Sequence, residues 1–200
     1  MSIYRSILIA AATAGLLVPA VARCEVADFV FRGNRLGDAF EDVQKRAGGK
    51  LECDMPKDDR LMCEDKSLDQ KVIGYEKRYV LGDIVLNWSI DYAFYDGKLS
   101  AISFSVTPDQ WEALRKTVAE KYGPQTSEKA LRTYINGKSL ENVIVEWRTN
   151  DGTMKLHKYE EGANNERSSF FIGSMKLAML RVEREKAKAA DVARKSKSAF

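Results

Sequence analysis

The strongest constraint on the fold is the segment from 84 to 95, in which apolar and polar side chains alternate. Asn87, Ser89 and Asp91 stand between its even-numbered apolar positions. Those apolar positions are Ile84, Leu86, Trp88, Ile90, Tyr92 and Phe94. A period of two predicts a β-strand with one buried and one solvated face, which is typical of an antiparallel sheet.

Two further segments have helical spacing of their apolar residues, 36–47 and 107–122. A Gly-Gly pair ends the first, and Gly123-Pro124 ends the second. Other short segments read as strands: 28–32, 71–79, 129–135, 141–149, 153–159 and 168–174. We therefore predict an α+β fold over residues 23–174, an antiparallel meander sheet packed by one or two helices.

The turn at Asp96-Gly97 leads into a strand whose apolar residues should share the inner face. Those residues are Ile102, Phe104 and Val106. Opposed residues of a hairpin point to the same face, and a shift of one residue reverses this. A three-residue loop over 95–97, with Gly97 in the left-handed conformation of a bulge, would place these residues opposite the inward-facing residues of the preceding strand.

At the later hairpin, a two-residue Asp151-Gly152 loop would set Trp147 opposite Leu156. With this pairing both side chains point to the same, inner face of the sheet. Trp88 and Trp111, like Trp147, fall on predicted core faces, so all three tryptophans are expected where helices meet the sheet.

The N-terminus follows the secretory pattern, which predicts a signal peptide over residues 1–22. An apolar stretch over 7–18 precedes Ala20-Val21-Ala22, a small-x-small cleavage site that leaves Arg23 first. A transmembrane anchor is one alternative, although the apolar stretch is short for a bilayer. A lipoprotein modified at Cys24 is the other, although Arg23 stands where that signal needs a small residue.

Cys53 and Cys63 enclose a short polar loop over 54–62, which has little to bury. In an oxidising compartment a disulfide between them is the expected staple, worth about 3 kcal/mol by the chain-entropy estimate. Two free thiols are the alternative. Cys24 is left over, as a free thiol, a lipid site or an intermolecular partner.

The two helix starts share the pattern Asp-x-aromatic-Glu-x-aliphatic-x-Lys, over 37–45 and 108–116. Each helix precedes several strands with a late Asp-Gly hairpin, which suggests tandem helix-plus-sheet units over 33–106 and 107–174. The alternative is that amphipathic helix starts look alike without any duplication.

This order of elements, with the segment Leu36-Gly37-Asp38-Ala39-Phe40-Glu41-Asp42-Val43, resembles the β-lactamase-inhibitor-like fold and the small outer-membrane assembly lipoproteins that share it. That family starts its helix with Gly-x-[Ser/Thr]-x-x-x-Val, and this segment lacks the hydroxyl residue of that pattern. The resemblance covers one helix and an order of elements. It implies a non-catalytic protein-binding module, and no binding residue carries over.

No catalytic, metal or nucleotide motif is present in the sequence, so we expect no cofactor. Three cysteines and one histidine do not make a zinc site. His157 falls opposite in parity to the apolar positions of its strand, which predicts a solvent-facing side chain. A net charge of +3 does not indicate nucleic acid. A pair of carboxylates serving a hydrolase stays open.

The remaining candidates are surface residues. Tyr75, Tyr79 and Tyr95 point outward in the predicted strands and form a candidate contact surface. The tail over 175–200 reads as a charged helix, with eight basic and three acidic residues. Its candidate contact residues are Arg184, Lys186, Lys188, Arg194, Lys195 and Lys197.

The tail suits anionic lipid head groups or an acidic partner, and a solvated, fraying helix is the alternative. Leu177, Leu180 and Met179 in its first turns are expected to dock on the domain.

These patterns predict a periplasmic or secreted, non-enzymatic protein that binds another envelope protein as an inhibitor or assembly accessory. An outer-membrane lipoprotein is the alternative location. A small-ligand or lipid carrier with a helix–sheet pocket and an unrecognised hydrolase are the alternative functions.

Overall fold

The computed structural model describes residues 28–57, 59–160 and 167–197. The predicted signal peptide over 1–22 and Cys24 lie outside these residues. The strands are β1 (Val30–Phe31), β2 (Asn34–Arg35), β3 (Leu51–Cys53), β4 (Arg60–Asp65), β5 (Gln70–Ile73), β6 (Glu76–Leu81), β7 (Ile84–Val85), β8 (Ile90–Tyr95), β9 (Lys98–Val106), β10 (Ser127–Ile135), β11 (Lys138–Arg148), β12 (Gly152–His157) and β13 (Ser168–Ser174). The helices are α1 (Phe40–Arg46), α2 (Trp111–Tyr122), which a 3-10 turn at Pro108–Gln110 precedes, and α3 (Met175–Lys197).

Eight strands form the main sheet in the order β10-β11-β12-β13-β9-β8-β4-β3, and every pairing in it is antiparallel. Two smaller sheets join β1 with β2 and β5 with β6 and β7. The α+β fold with an antiparallel meander sheet is thereby confirmed.

The main sheet divides at its centre into two runs of four strands. The segment 33–106 supplies α1 and the adjacent strands β3, β4, β8 and β9, and the segment 107–174 supplies α2 and β10 to β13. The last strand of each run, β9 and β13, pairs with the other. This arrangement is what tandem units would produce, and the duplication itself stays a prediction.

One face of the main sheet packs against α1 and α2 to form the core. Val43 of α1 and Trp111 of α2 are buried in one cluster with the inward residues of the sheet. Trp147 is fully buried, and its indole N–H donates to the carbonyl of Gly123 at 2.9 Å. The core placement of Trp111 and Trp147 is confirmed, and each contributes a large apolar area.

In the first hairpin the predicted residues face inward, but the predicted three-residue loop is not the reason. Its turn is the two-residue Asp96–Gly97, with φ of 54° and 69°, and no three-residue loop forms. The extra residue is Ser100, because the register of β8 and β9 shifts between Ala93 and Phe94. The residues predicted to face inward are all buried: Ile102, Phe104 and Val106.

The second hairpin differs from its prediction by two residues. Trp147 pairs with Met154 and not with Leu156, which pairs with Val145. The two-residue loop is Asn150–Asp151. Because a shift of two preserves parity, these side chains remain in the core.

The segment predicted as one strand over 84–95 is two short strands, β7 and β8. The chain bends at Asn87 and Trp88, and the backbone N–H of Asn87 donates to the carbonyl of Ser105 at 2.8 Å. Leu86 and Ile90 remain fully buried, whereas Trp88 is 61% exposed. The core placement of Trp88 is therefore wrong, because the bend turns it out of the alternation.

Two other elements are shorter than predicted. The segment 71–79 is a hairpin of β5 and β6, because the chain reverses at Gly74–Tyr75 with Gly74 at φ 63°. The helix predicted over 36–47 begins only at Phe40, since Gly37 has φ 90° and Ala39 is extended.

A buried polar cluster joins β1–β2 to β4 and β8. Asp65 is 1% exposed and accepts a 2.6 Å bond from the guanidinium of Arg32. Ser67 donates to the same carboxylate from its backbone N–H, at 2.8 Å, and its hydroxyl, at 2.5 Å. The Asn34 amide donates to the Tyr92 hydroxyl at 3.3 Å. Burial, with the Asp65 charge second, raises the pKa of Tyr92 to about 12.

Candidate functional site

The face of the main sheet opposite the core, called here the outer face, carries the candidate site. Alternation along the strands points Asp91, Ala93, Ser103, Ser105, Ser169 and Phe171 to this side. The start of α3 covers one end, where Leu177 is buried and Tyr95 is only 4% exposed. The rest of the outer face is open between Trp88 and Arg167.

Two adjoining depressions occupy the open part of this face. One, of about 310 Å³, includes Asp91 and Phe171 in its lining. The other, of about 800 Å³, runs from Trp88 to Tyr79. Both include Trp88, Ser89 and Arg167, so we treat them together as the Trp88 groove.

The floor of the Trp88 groove carries serine hydroxyls. Ser105 pairs with Ser169, and Ser103 pairs with Phe171, across β9 and β13. The Ser105 side chain is buried, and its hydroxyl has no hydrogen-bond partner among the residues that the structure describes. A buried polar atom without a partner costs free energy, and this one borders the groove.

Two exposed aromatic side chains flank that floor. Trp88 is 61% and Phe171 is 41% exposed. Neither is required by the core, which lies on the opposite side of the sheet. Large apolar side chains exposed beside a concave polar floor are typical of a contact site.

Ion pairs surround the groove. Glu64 pairs with Lys66, and Glu160 pairs with Arg167. Arg78 pairs with Glu76 at 2.6 Å. All three pairs contribute lining residues, so the aromatic centre is bordered by charges that are largely neutralised.

The pKa values of two carboxylates of the groove are shifted in opposite directions. Glu64 and Asp91 are directly opposed on β4 and β8. The hydrogen bond from Lys66 lowers the pKa of Glu64, whereas burial, with the Glu64 charge second, raises the pKa of Asp91. Glycosidase carboxylates flank the bond they cleave, but these two project side by side from one wall. That arrangement suits a polar contact better than two-carboxylate hydrolysis.

The three tyrosines predicted as a contact surface are dispersed. Tyr75 is fully exposed at the β5–β6 turn, and Tyr79 is half-buried at the edge of the Trp88 groove. Tyr95 is buried under α3, with the Arg184 guanidinium 5.6 Å from its ring. Tyr95 lies on the outer face, but the expectation that it forms an exposed contact surface is wrong, because α3 returns across this end of the sheet.

The first half of the basic tail is docked on the domain. Arg184 pairs with Asp96 at 2.9 Å and with Asp59 at 4.0 Å, and Asp96 raises the pKa of Arg184. Lys188 pairs with Asp59 at 3.7 Å. Leu177 docks as predicted, whereas Met179 is 61% exposed.

Later tail residues are paired within α3 or exposed. Arg194 and Lys195 pair with Asp191 at 2.6 and 2.8 Å. Lys186 is exposed beside an apolar depression of the helix that includes Met179. The side chain of Lys197 lies outside the described residues.

A disulfide joins Cys53 and Cys63, which are directly opposed on β3 and β4, as predicted. Within the described ranges, no three His, Cys, Asp or Glu side chains gather to hold a metal ion. His157 is half-buried on the outer face, where it pairs with Ser169 across β12 and β13. No helix in the part of the chain that the structure describes is long and apolar enough to cross a membrane.

The site residues that sequence reasoning missed are Trp88, Phe171 and the serine floor. The available signal was length, because the predicted strand over 84–95 is about twice the usual five or six residues. Length alone does not locate a break, since β11 runs unbroken over 11 residues, but Trp88 does lie between the polar residues Asn87 and Ser89. Comparisons with protein-family models, with curated proteins and with solved structures give no match for this chain.

Proposed function

We propose that this chain is an exported, non-enzymatic binding protein that contacts another protein of the cell envelope through the Trp88 groove. The observation that carries the proposal is Trp88, which is 61% exposed on the sheet face away from the core. The unpartnered Ser105 hydroxyl in the same groove supports it.

The make-up of the groove favours a protein partner. Protein interfaces concentrate their binding energy in a few aromatic anchors, tryptophan above all, surrounded by polar groups that exclude water. Trp88 and Phe171 would be the anchors here. The ion pairs of Lys66, Arg78 and Arg167 would form the surrounding rim.

The proposed location rests on two features. The sequence starts with a secretory pattern over 1–22. The Cys53–Cys63 disulfide needs an oxidising compartment to persist. An inhibitor or an assembly accessory of the periplasm or the extracellular space fits both features.

The alternative of a small-ligand or lipid carrier with a helix–sheet pocket has less support as the main function. A cavity lined by the tryptophans would favour it. Trp111 and Trp147 instead pack into the core, 1% and 0% exposed. We therefore place protein binding first.

A crosslinking capture from envelope extract tests the proposal, with protein expressed from the full-length sequence as bait. Trp88→Ala removes the proposed anchor. Tyr134→Ala is the matched control, because Tyr134 is also an exposed aromatic residue but lies outside the groove. A protein captured by the wild type and by Tyr134→Ala, but lost with Trp88→Ala, supports the proposal.

The captured protein is then purified and titrated against each bait. Loss of a central anchor costs 2 kcal/mol or more, about a thirtyfold increase in Kd. Equal Kd values for wild type and Trp88→Ala would refute the role of the groove. A captured protein that also binds heat-denatured bait would count as nonspecific.

A further inference from the structure

A second cavity lies where α3 crosses the outer face. Its volume is about 300 Å³. We call it the α3 pocket. Among the described residues, Phe171 is the one lining residue that it shares with the Trp88 groove. Residues that line the α3 pocket include Arg60, Met62, Lys155, Phe171, Leu177 and Arg181.

The lining combines an apolar interior with basic groups. Met62, Phe171 and Leu177 are among its apolar side chains, contributed by β4, β13 and α3. Arg60 and Lys155 belong to strands on either side of the central strands, and Arg181 comes from α3. No carboxylate is found among the described residues that line the pocket.

Two of the three cations are unpaired within the described part of the chain. Arg60 and Lys155 form no ion pair with any residue that the structure describes, while Arg181 pairs with Glu185 at 3.6 Å. The pocket also lies at the N-terminal end of α3, whose first turn contains no acidic residue. The positive end of the helix dipole adds to the same sign of charge.

We propose that the α3 pocket binds a single-chain amphiphile with an anionic head group, a carboxylate or a phosphate. The chain would lie against Met62, Phe171 and Leu177, and the head group would meet Arg60 and Lys155. The pocket should hold a ligand with a single chain, because its volume of about 300 Å³ is at the lower limit for ligand pockets. Arginine and lysine are the usual partners of both head groups.

Calorimetric titration of the protein expressed from the full-length sequence tests this. The probes are dodecanoate, dodecyl phosphate and dodecyltrimethylammonium, each below its micelle-forming concentration. We expect saturable one-to-one binding of at least one anionic probe, with the cationic probe at least about tenfold weaker. The tighter anion identifies the head group. Equal affinity for the cationic probe, or no saturable binding of either anion, would overturn the proposal.

Charge variants locate the site. Arg60→Gln with Lys155→Gln should weaken anion binding about tenfold or more, because two charge-assisted contacts are lost. Arg132→Gln with Lys129→Gln removes the same charge from exposed positions of β10, outside the pocket, and should change affinity less than twofold. Equal losses in the two double variants would show that only net charge attracts the probe, and would overturn the proposed site.

Two further arms test the chain contact. Each buried methylene should change affinity about fourfold, so decanoate should bind more weakly than dodecanoate. Ala178→Trp fills the pocket, and Ala189→Trp places the same side chain elsewhere on α3. Binding retained by Ala178→Trp, or no chain-length dependence, would overturn the assignment. None of these titrations requires the protein partner proposed above.

Discussion

Alkaline pH should destabilise the fold through one buried phenol, Tyr92. Its side chain is 1% exposed beneath the Arg32–Asp65 pair. Burial is the largest cause of the rise in its pKa from 10.0 to about 12, and the charge of Asp65 adds to it. The folded state therefore favours the neutral phenol more strongly than the unfolded chain does.

The sign and size follow from proton linkage. This contribution to stability is fully present below pH 10, where the phenol is neutral in both states. Above pH 10 the unfolded chain loses the proton first, so the free energy of unfolding falls until pH passes about 12. Two pKa units at 1.36 kcal/mol each give a loss of about 2–3 kcal/mol.

Urea denaturation at pH 9, 10, 11 and 12, followed by circular dichroism, measures this loss. Tyr92→Phe is the matched control, because it keeps the ring and removes the ionisable hydroxyl. The wild type should lose about 2–3 kcal/mol more than Tyr92→Phe between pH 9 and pH 12. Parallel pH profiles for the two proteins would refute the reasoning, since the other titrating groups are common to both.

Four other changes test the packing. Replacing Cys53 and Cys63 with Ser should lower the free energy of unfolding by about 3 kcal/mol, measured as a lower urea midpoint. Gly97→Ala should lower the free energy of unfolding by about 1 kcal/mol. Residue 97 has a φ of 69°, which strains an alanine, while no heavy atom of the described residues, apart from its two neighbours in the chain, lies within 4 Å of the added methyl group. Gly152→Ala should cost more in the same assay, because its methyl group would lie 2.7 Å from a leucine carbon and 3.1 Å from a carbonyl oxygen. Trp147→Ala should cost about 3–5 kcal/mol by thermal or urea unfolding, because a fully buried indole and its hydrogen bond are lost.

The sequence predicted which residues of the first hairpin face inward, but it did not predict the position of the extra residue. The inner placement of Ile102, Phe104 and Val106 followed from their alternation, since the other parity would expose all three. The extra residue at Ser100 gives the same parity as a longer turn. Because both solutions bury the same side chains, hydrophobic pattern alone does not choose between them.

The candidate site was less predictable for a related reason. Trp88 continues the alternation of the segment 84–95, so pattern places it in the core. The bend at Asn87 is stabilised by a backbone hydrogen bond to Ser105, a residue eighteen positions away in the chain. The path of α3 over Tyr95 likewise depends on contacts between residues far apart in the sequence, such as Arg184 with Asp96. Such contacts have no periodic signature.

The outer face of the sheet is divided between α3 and open surface, and the two proposals concern different parts of it. Trp88 and Ser105 belong to the open part, while Arg60, Lys155 and Leu177 belong to the part that α3 covers. Phe171 lines both cavities. Trp88→Ala should therefore leave the binding of an anionic amphiphile unchanged. Loss of that binding in Trp88→Ala would mean that the two cavities act as one site.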